Sequence, residues 1–470
     1  MFDDKIENLK QDMIKTCSKL ITFPSISEYN PKSKEAPFGV PCKEALEYFL
    51  SLASGLGFRT KNIDGYCGYA EFGEGKELVG IIGHLDVVPA IREDWEYPPF
   101  QPTIEDSRIY GRGAIDDKGP VIAALYAMKA VADTVKVQKR IRLIVGLNEE
   151  KDWKCINYYK EHEEAPTVGF SPDADFPCIY AEKGILTTYL KQDYTNHNTD
   201  IIRIKSIDCG NNAINVVPKM CSVILKINKE KIKMGNCIQV IKEIVAKHKY
   251  EIDIYRSTDE HVKITAHGIA AHSAHPDLGV NAISHLLIVL RDLFYTYNVK
   301  LDIIDTFYQY IGDDYSGKKL GISYTDESGK LTLNVGKFNF YENFIQIGMN
   351  LRIPVTIPFD KIENRFEEII KNKKEMSIWT PEKKAPLYIP KDNSLVTTLC
   401  NIFNEVTGQN AEPIAIGGAT YARAFQNCIS FGANMPGHVD MCHQADEYIK
   451  IDNLIAASKV YARAIYELAK

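Results

Sequence analysis

No stretch of this 470-residue chain stays apolar for the roughly 20 residues that a membrane-crossing helix needs, so no membrane partner is expected. A basic tail is missing too. The 56 lysines and arginines stand against 62 acidic residues, a net charge of −6, which gives no electrostatic reason to expect nucleic acid. The eleven cysteines form neither a CxxC pair nor any zinc-finger spacing, and an odd number cannot all be paired. They read as reduced, mostly buried thiols, which predicts a cytoplasmic protein. The first ten residues, MFDDKIENLK, are acidic and amphipathic rather than a secretory signal. Internal repeats and low-complexity tracts are absent as well.

What is present is a globular composition, 45% hydrophobic and 25% charged, in a chain too long for one core. Ile6, Leu9, Met13, Ile14, Cys17, Leu20 and Ile21 recur at helical spacing and predict a helix over 4–21. A second helix is expected from Cys42 to Leu56, stopping near Gly55 and Gly57. Apolar runs predict strands at 78–85 and 140–147, with a helix between them starting at Lys118-Gly119-Pro120, where proline suits the first turn. Alternating strand and helix up to about residue 180 favours an α/β layer structure with a mainly parallel sheet flanked by helices. From 185 to 384 the texture changes to isolated strands (Lys330–Phe340, Phe344–Pro354) and helices near 281–295 and 360–372, an inserted α+β module. Long helices return at 393–407 and 452–469, around the loop-rich segment Pro413–Glu447. The expected division is therefore 1–184 and 385–470 as one domain, with 185–384 as the insertion.

Chemistry-bearing side chains gather at the expected strand ends. In GIIGHLDVVP, His84 and Asp86 lie two residues apart after an apolar run, so they share a face. GRGAIDDKGP places Asp116 and Asp117 just before a helix start, where an acidic first turn is the plain structural alternative. Asn148-Glu149-Glu150 follows the 140–147 strand; one glutamate could bind a metal while the other takes a proton from water. SPDAD supplies Asp173 and Asp175, and Asp440-Met441-Cys442-His443 supplies a late histidine. Open α/β sheets place ligands in such loops. An imidazole and carboxylate set without thiolate suits Zn²⁺, Mn²⁺ or Co²⁺, with Cys442 read as a bystander.

The order GHLDVVP, GRGAIDDKGP, NEE, GFSPDADFP and a late histidine resembles the M20 family of di-zinc metallopeptidases. YGRGAIDDKGP, DWKCINYY and GFSPDADFP resemble its dipeptidase V branch in particular. The resemblance spans essentially the whole chain. It implies a catalytic domain carrying two divalent ions, zinc before manganese or cobalt, and an inserted lid domain. His84 and Asp173 would hold one ion, Glu150 and His443 the other, and Asp116 would bridge. Asp86 would orient the His84 imidazole, a role whose loss costs about 10–100-fold. Glu149 would be the general base, and in the family the bond after the bridging aspartate, here Asp116–Asp117, is often cis, which leaves its form in this chain open.

In the insertion, HGIAAHSAHPDLGVNAI resembles the family's lid motif, in which His272 would stabilise the oxyanion. His267 and His275 flank it as structural or surface residues. Asn215 in NNAINVVP would reach the substrate carbonyl. Arg352, in LRIPVT, would clamp the free C-terminal carboxylate of a short peptide; a solvent-exposed arginine is the alternative. IGGATYAR (416–423) lacks the Lys-Ser/Thr ending, preceding strand and following helix of a phosphate loop. It resembles instead the family's substrate loop, with Gly417, Gly418 and Thr420 lining the pocket. Asn148 departs from the pattern, which has aspartate there. The implied activity is a cytoplasmic, monomeric metallo-dipeptidase. A deacylase of N-acyl amino acids and a catalytically silent relative are the alternatives; no expected ligand or base is missing from the sequence.

Overall fold

The computed structural model describes residues 1–194, 201–210, 213–341 and 343–470. Asn211 and Asn212 of the NNAINVVP motif therefore lie outside the described residues. The chain divides into two compact units. One comprises Met1–Ala181, Leu387–Ala415 and Ala419–Lys470, the other Glu182–Pro386 with Ile416–Gly418.

The first unit is built on a nine-stranded sheet. Its centre is parallel: Leu78–His84 lies between Arg140–Gly146 and Val168–Ser171, and Cys428–Ser430 runs parallel to Val168–Ser171 on the far side. Its flanks are antiparallel, with Arg59–Ile63 on Cys67–Phe72, Cys67–Phe72 on Arg140–Gly146, and Ile179–Glu182 beside Cys428–Ser430. Every residue of Leu78–His84 is buried, as expected of a strand covered on both faces. The covering includes the helix Lys118–Thr134, which packs against Ile451–Ala469 and Lys10–Ile21. Lys118–Thr134 is buried through Met128, and its polar, solvent-facing residues (Lys129, Asp133, Thr134) fall only near its C-terminal end.

The helix expected over 4–21 is interrupted at Leu9, giving Asp3–Asn8 and Lys10–Ile21. Leu9 keeps near-helical angles, and its N–H bonds back to Lys5 and Ile6, so the interruption is slight. The second helix is Val40–Gly55. Ile414–Ile416 forms a short strand leading into the glycine-rich loop, where no preceding strand was expected. Only a single 3-10 turn, Tyr421–Ala424, follows.

The second unit is α+β. Four antiparallel strands run in the order Thr332–Phe340, Phe344–Ile353, Gly184–Asp193, Met376–Lys384. Another four run in the order Ile202–Asp208, Met220–Ile227, His261–His267, Ile252–Arg256. Helices Met234–His248, Ala282–Thr296, Asp302–Tyr310 and Phe359–Ile370 complete its apolar core. Cys209 and Cys221 are joined in a disulfide, a departure from the all-thiol expectation. The other nine cysteines are free, all buried except the partly exposed Cys442.

Candidate metal centre

Parallel strands end on one edge, and that is why distant motifs meet. His84 closes the Leu78–His84 strand, Glu149 and Glu150 follow Arg140–Gly146, and Asp173 follows Val168–Ser171. His443 lies in the loop between the short strand Ala433–Asn434, which follows the neighbouring Cys428–Ser430 strand, and Tyr448–Lys450. Asp116 comes from the loop leading into Lys118–Thr134. That approach is tight. A β-carbon on Gly83 would sit 2.5 Å from Asp117 Oδ2 and 2.6 Å from Val121 Cγ2, so only glycine lets the helix start lie on the strand. Asp117 Oδ2 accepts the His84 backbone N–H at 3.0 Å, and the Asp116–Asp117 peptide is cis.

His84 Nδ1 lies 2.9 Å from the main-chain carbonyl of Asp86. A carbonyl can only accept, so Nδ1 carries the hydrogen and Nε2 turns its lone pair to the site. Nε2 then faces Asp116 Oδ1 at 3.1 Å and Asp173 Oδ2 at 3.6 Å. On the other side His443 Nε2 lies 3.0 Å from Asp116 Oδ2 and 3.0 Å from Glu150 Oε1. Acceptors aimed at one another across 3–4 Å need a cation between them, either a proton or a metal ion. The donor set fits divalent ions: His84, Asp116 and Glu150 offer one compact group, and His84, Glu149 and Asp173 another. Asp116 presents one carboxylate oxygen to each histidine, the arrangement a bridging ligand requires.

The electrostatics agree. Burial disfavours the charged form of His84, but Asp116, Asp173 and Asp86 outweigh it and raise its pKa well above the usual value. His443 behaves alike, burial being outweighed by Glu150 and Asp116. Asp173 is pushed up to about 7 by burial and by Asp116, and Glu150 is raised by the same two causes. Burial alone would raise Asp116, but His443 and His84 in turn hold it below the usual carboxylate range, so the protons shared in this cluster sit where a metal cation could replace them.

The Asp86 carboxylate does something the sequence did not suggest. Its Oδ1 accepts the Glu149 N–H at 3.0 Å and its Oδ2 the Glu150 N–H at 3.2 Å. It stands 3.5 Å from His84 Nδ1, farther than the carbonyl of the same residue. Asp86 thus holds the imidazole by its main chain and the glutamate pair by its side chain.

Glu447 was missed altogether. Fully buried, it accepts the N–H groups of Ile115 (2.9 Å) and Asp116 (3.2 Å) and pairs with Arg112 at 2.5 Å. It ties the His443 segment to the Asp116 loop, and its one sequence signal is an acid four residues after His443. Asn148, the departure from the family pattern, is also fully buried. Its amide bonds Ser27 Oγ and the Lys154 N–H, so it shapes the turn. Thr420, in this unit, is buried with its hydroxyl 2.7 Å from Ser430 Oγ, and it caps the Tyr421–Ala424 turn.

Asn215, His272, Arg352, Gly417 and Gly418 belong to the second unit. His272 is exposed. Arg352 is only 4% exposed, which removes the solvent-exposed alternative, and its Nη1 donates to the Gly417 carbonyl at 2.7 Å. His267 pairs with Asp253 at 2.9 Å at a strand end, and His275 is exposed.

Residues 80–467 match the model of peptidase family M20/M25/M40. The chain belongs to this family and is a hydrolase acting on peptide bonds. It is 36% identical to "Putative dipeptidase YtjP" of Bacillus subtilis, covering 98% of both chains. A protein of like description from Staphylococcus epidermidis is 35% identical over all of this chain and 99% of its own. Among solved structures, human carnosine dipeptidase 1 shares the fold with a TM-score of 0.59 at 15% identity, over 100% of this chain and 98% of that one. The dipeptidase Dug1p of Saccharomyces cerevisiae does so with a TM-score of 0.58 at 14% identity, over 99% and 98%.

Proposed function

We propose that this protein is a metal-dependent dipeptidase that cleaves short peptides with both termini free. The observation that carries this reading is the meeting of His84, Asp116 and Asp173 on one side and His443, Asp116 and Glu150 on the other. These side chains would hold two divalent ions, zinc in the first place, manganese or cobalt as alternatives. Bound, they would lower the pKa of water and polarise the scissile carbonyl. Glu149, beside them on the turn fixed by Asp86, takes the proton of the attacking water and delivers it to the leaving amine. His272 and Asn215 stabilise the developing oxyanion, and Arg352 receives the substrate carboxylate.

Dipeptides are favoured because relatives matched over nearly their full lengths carry that description. We place the protein in the cytoplasm as a monomer; among the described residues no helix is long and apolar enough to cross a membrane. The test is a panel of dipeptides and their N-acetylated forms, offered to apoprotein reloaded with Zn²⁺, Mn²⁺ or Co²⁺. Free dipeptides should be cleaved and the acetylated forms spared. The reverse preference would install the deacylase reading, and full activity after exhaustive chelation would remove both.

A further inference from the structure

Ser273, the residue after His272, is completely buried and bonded through every polar group it has. Its N–H donates to the Asn215 carbonyl at 2.9 Å, and its own carbonyl accepts from Thr332 Oγ1 at 3.0 Å. Its hydroxyl donates to Asn350 Oδ1 at 2.9 Å and accepts from Arg352 Nη2 at 3.0 Å and Nε at 3.3 Å. One donor and two acceptor sites exhaust what a hydroxyl offers. The chain of bonds continues in one sense. Asn350 Nδ2 donates to Thr187 Oγ1 at 3.0 Å, and Thr187 donates to Glu382 Oε2 at 2.8 Å. A relay from guanidinium to carboxylate is thus polarised the same way at each link, and each bond strengthens the next. Ser273, Asn350, Thr187 and Arg352 are all no more than 4% exposed, so water does not substitute for a broken link.

We propose that Ser273 is a positioning residue for the substrate, its hydroxyl fixing the Arg352 guanidinium against the main chain that bears His272 and Asn215. This rests on the reading of Arg352 as the carboxylate receptor and of His272 and Asn215 as carbonyl contacts. Coupling the two through one buried side chain sets the distance between the carbonyl to be attacked and the carboxylate to be bound. Ser273 is therefore a specificity determinant for peptide length, selecting a carboxylate one α-amino acid beyond the scissile bond. A C-terminal β-amino acid, which moves the carboxylate one carbon farther, is discriminated against by this spacing.

The experiment compares wild type, Ser273→Ala, Arg352→Ala and the double variant, all metal-loaded, on three substrates. These are an α-dipeptide, its C-terminal amide, and the analogue ending in β-alanine. Ser273→Ala should narrow the preference for the free acid over the amide roughly tenfold, the scale of one hydrogen bond to a charged group. The rise should appear in KM, and discrimination against the β-alanine analogue should relax in parallel. Arg352→Ala should narrow the acid-to-amide ratio by about 10- to 100-fold. Adding Ser273→Ala to it should then change little, because the two act through one contact. Equal loss on all three substrates in a normally folded Ser273→Ala protein, or no change, overturns the inference while leaving Arg352 in place. No acid-to-amide effect in Arg352→Ala overturns the receptor reading and the inference with it. Should Ser273→Ala fail to fold, Asn350→Leu, which removes the acceptor of the Ser273 hydroxyl, is judged by the same ratios.

Discussion

Replacing Asp86 by asparagine tests the construction of the metal centre at its most economical point. The side chain is completely buried, and each carboxylate oxygen receives one main-chain N–H, from Glu149 at 3.0 Å and Glu150 at 3.2 Å. Asparagine keeps the size and one acceptor but turns an NH₂ toward the other N–H. A hydrogen bond to a charged acceptor is worth about 1.5–3 kcal/mol, and opposed buried donors add to the loss. A total of about 2–3 kcal/mol corresponds to roughly 30- to 150-fold in an equilibrium constant. It falls on the turn that carries Glu149 and Glu150. Metal affinity, measured by competition with a fluorescent chelator, should weaken on that scale, and kcat at saturating metal should fall too. The His84 Nδ1–H resonance should survive, because the Asp86 carbonyl, which holds it at 2.9 Å, is untouched. A folded Asp86→Asn protein with unchanged affinity and kcat would refute the reasoning. So would loss of the Nδ1–H signal with the glutamate turn intact.

Glu149→Gln should keep both metal ions by elemental analysis while turnover disappears; near-normal hydrolysis would remove the general-base assignment. Arg142, 3% exposed, bonds Glu71 at 2.7 Å and Tyr159 at 2.8 Å and lies over the Tyr69 ring at 4.0 Å. Arg142→Ala should cost about 3 kcal/mol in denaturant titration, with Glu71→Gln costing less; a loss within error of zero would contradict the burial argument. His285 stacks on Tyr250 with ring centroids 3.7 Å apart, and burial lowers its pKa below the usual 6.5. The unfolded chain therefore takes up this proton before the folded protein does, so stability is lost as pH falls through about 6.5 toward the folded pKa. In His285→Gln that part of the pH dependence should vanish, and identical slopes for both proteins would discount it.

The sequence revealed most clearly whatever local pattern alone determines. His84, Glu149, Glu150 and Asp173 each follow an apolar run, and those runs are the adjoining strands Leu78–His84, Arg140–Gly146 and Val168–Ser171. Helices with one apolar stripe, such as Ser394–Thr407 and Ile451–Ala469, were found within a residue or so of their ends. The Arg59–Ile63 strand escaped notice because four of its five residues are not buried, leaving no alternation to read. Partners fixed by tertiary contact were also hidden. Nothing near Glu447 shows that it holds Asp116, since the two are 331 positions apart. Ser273 likewise looked like part of a motif rather than a junction, because its bonds reach Asn215, Thr332, Asn350 and Arg352. The antiparallel flanks of the sheet follow from hairpin and return connections that apolar runs do not encode.

The Cys428–Ser430 strand enters the sheet beside Val168–Ser171 only after the whole second unit has been threaded through the chain. During synthesis, four donors leave the ribosome well before His443. A nascent polypeptide or a fragment ending before residue 428 would own most of the cage but lack its last wall. On the proposed reading, cleaving power arrives late, with the final strand, and a half-made molecule is harmless to the peptides around it.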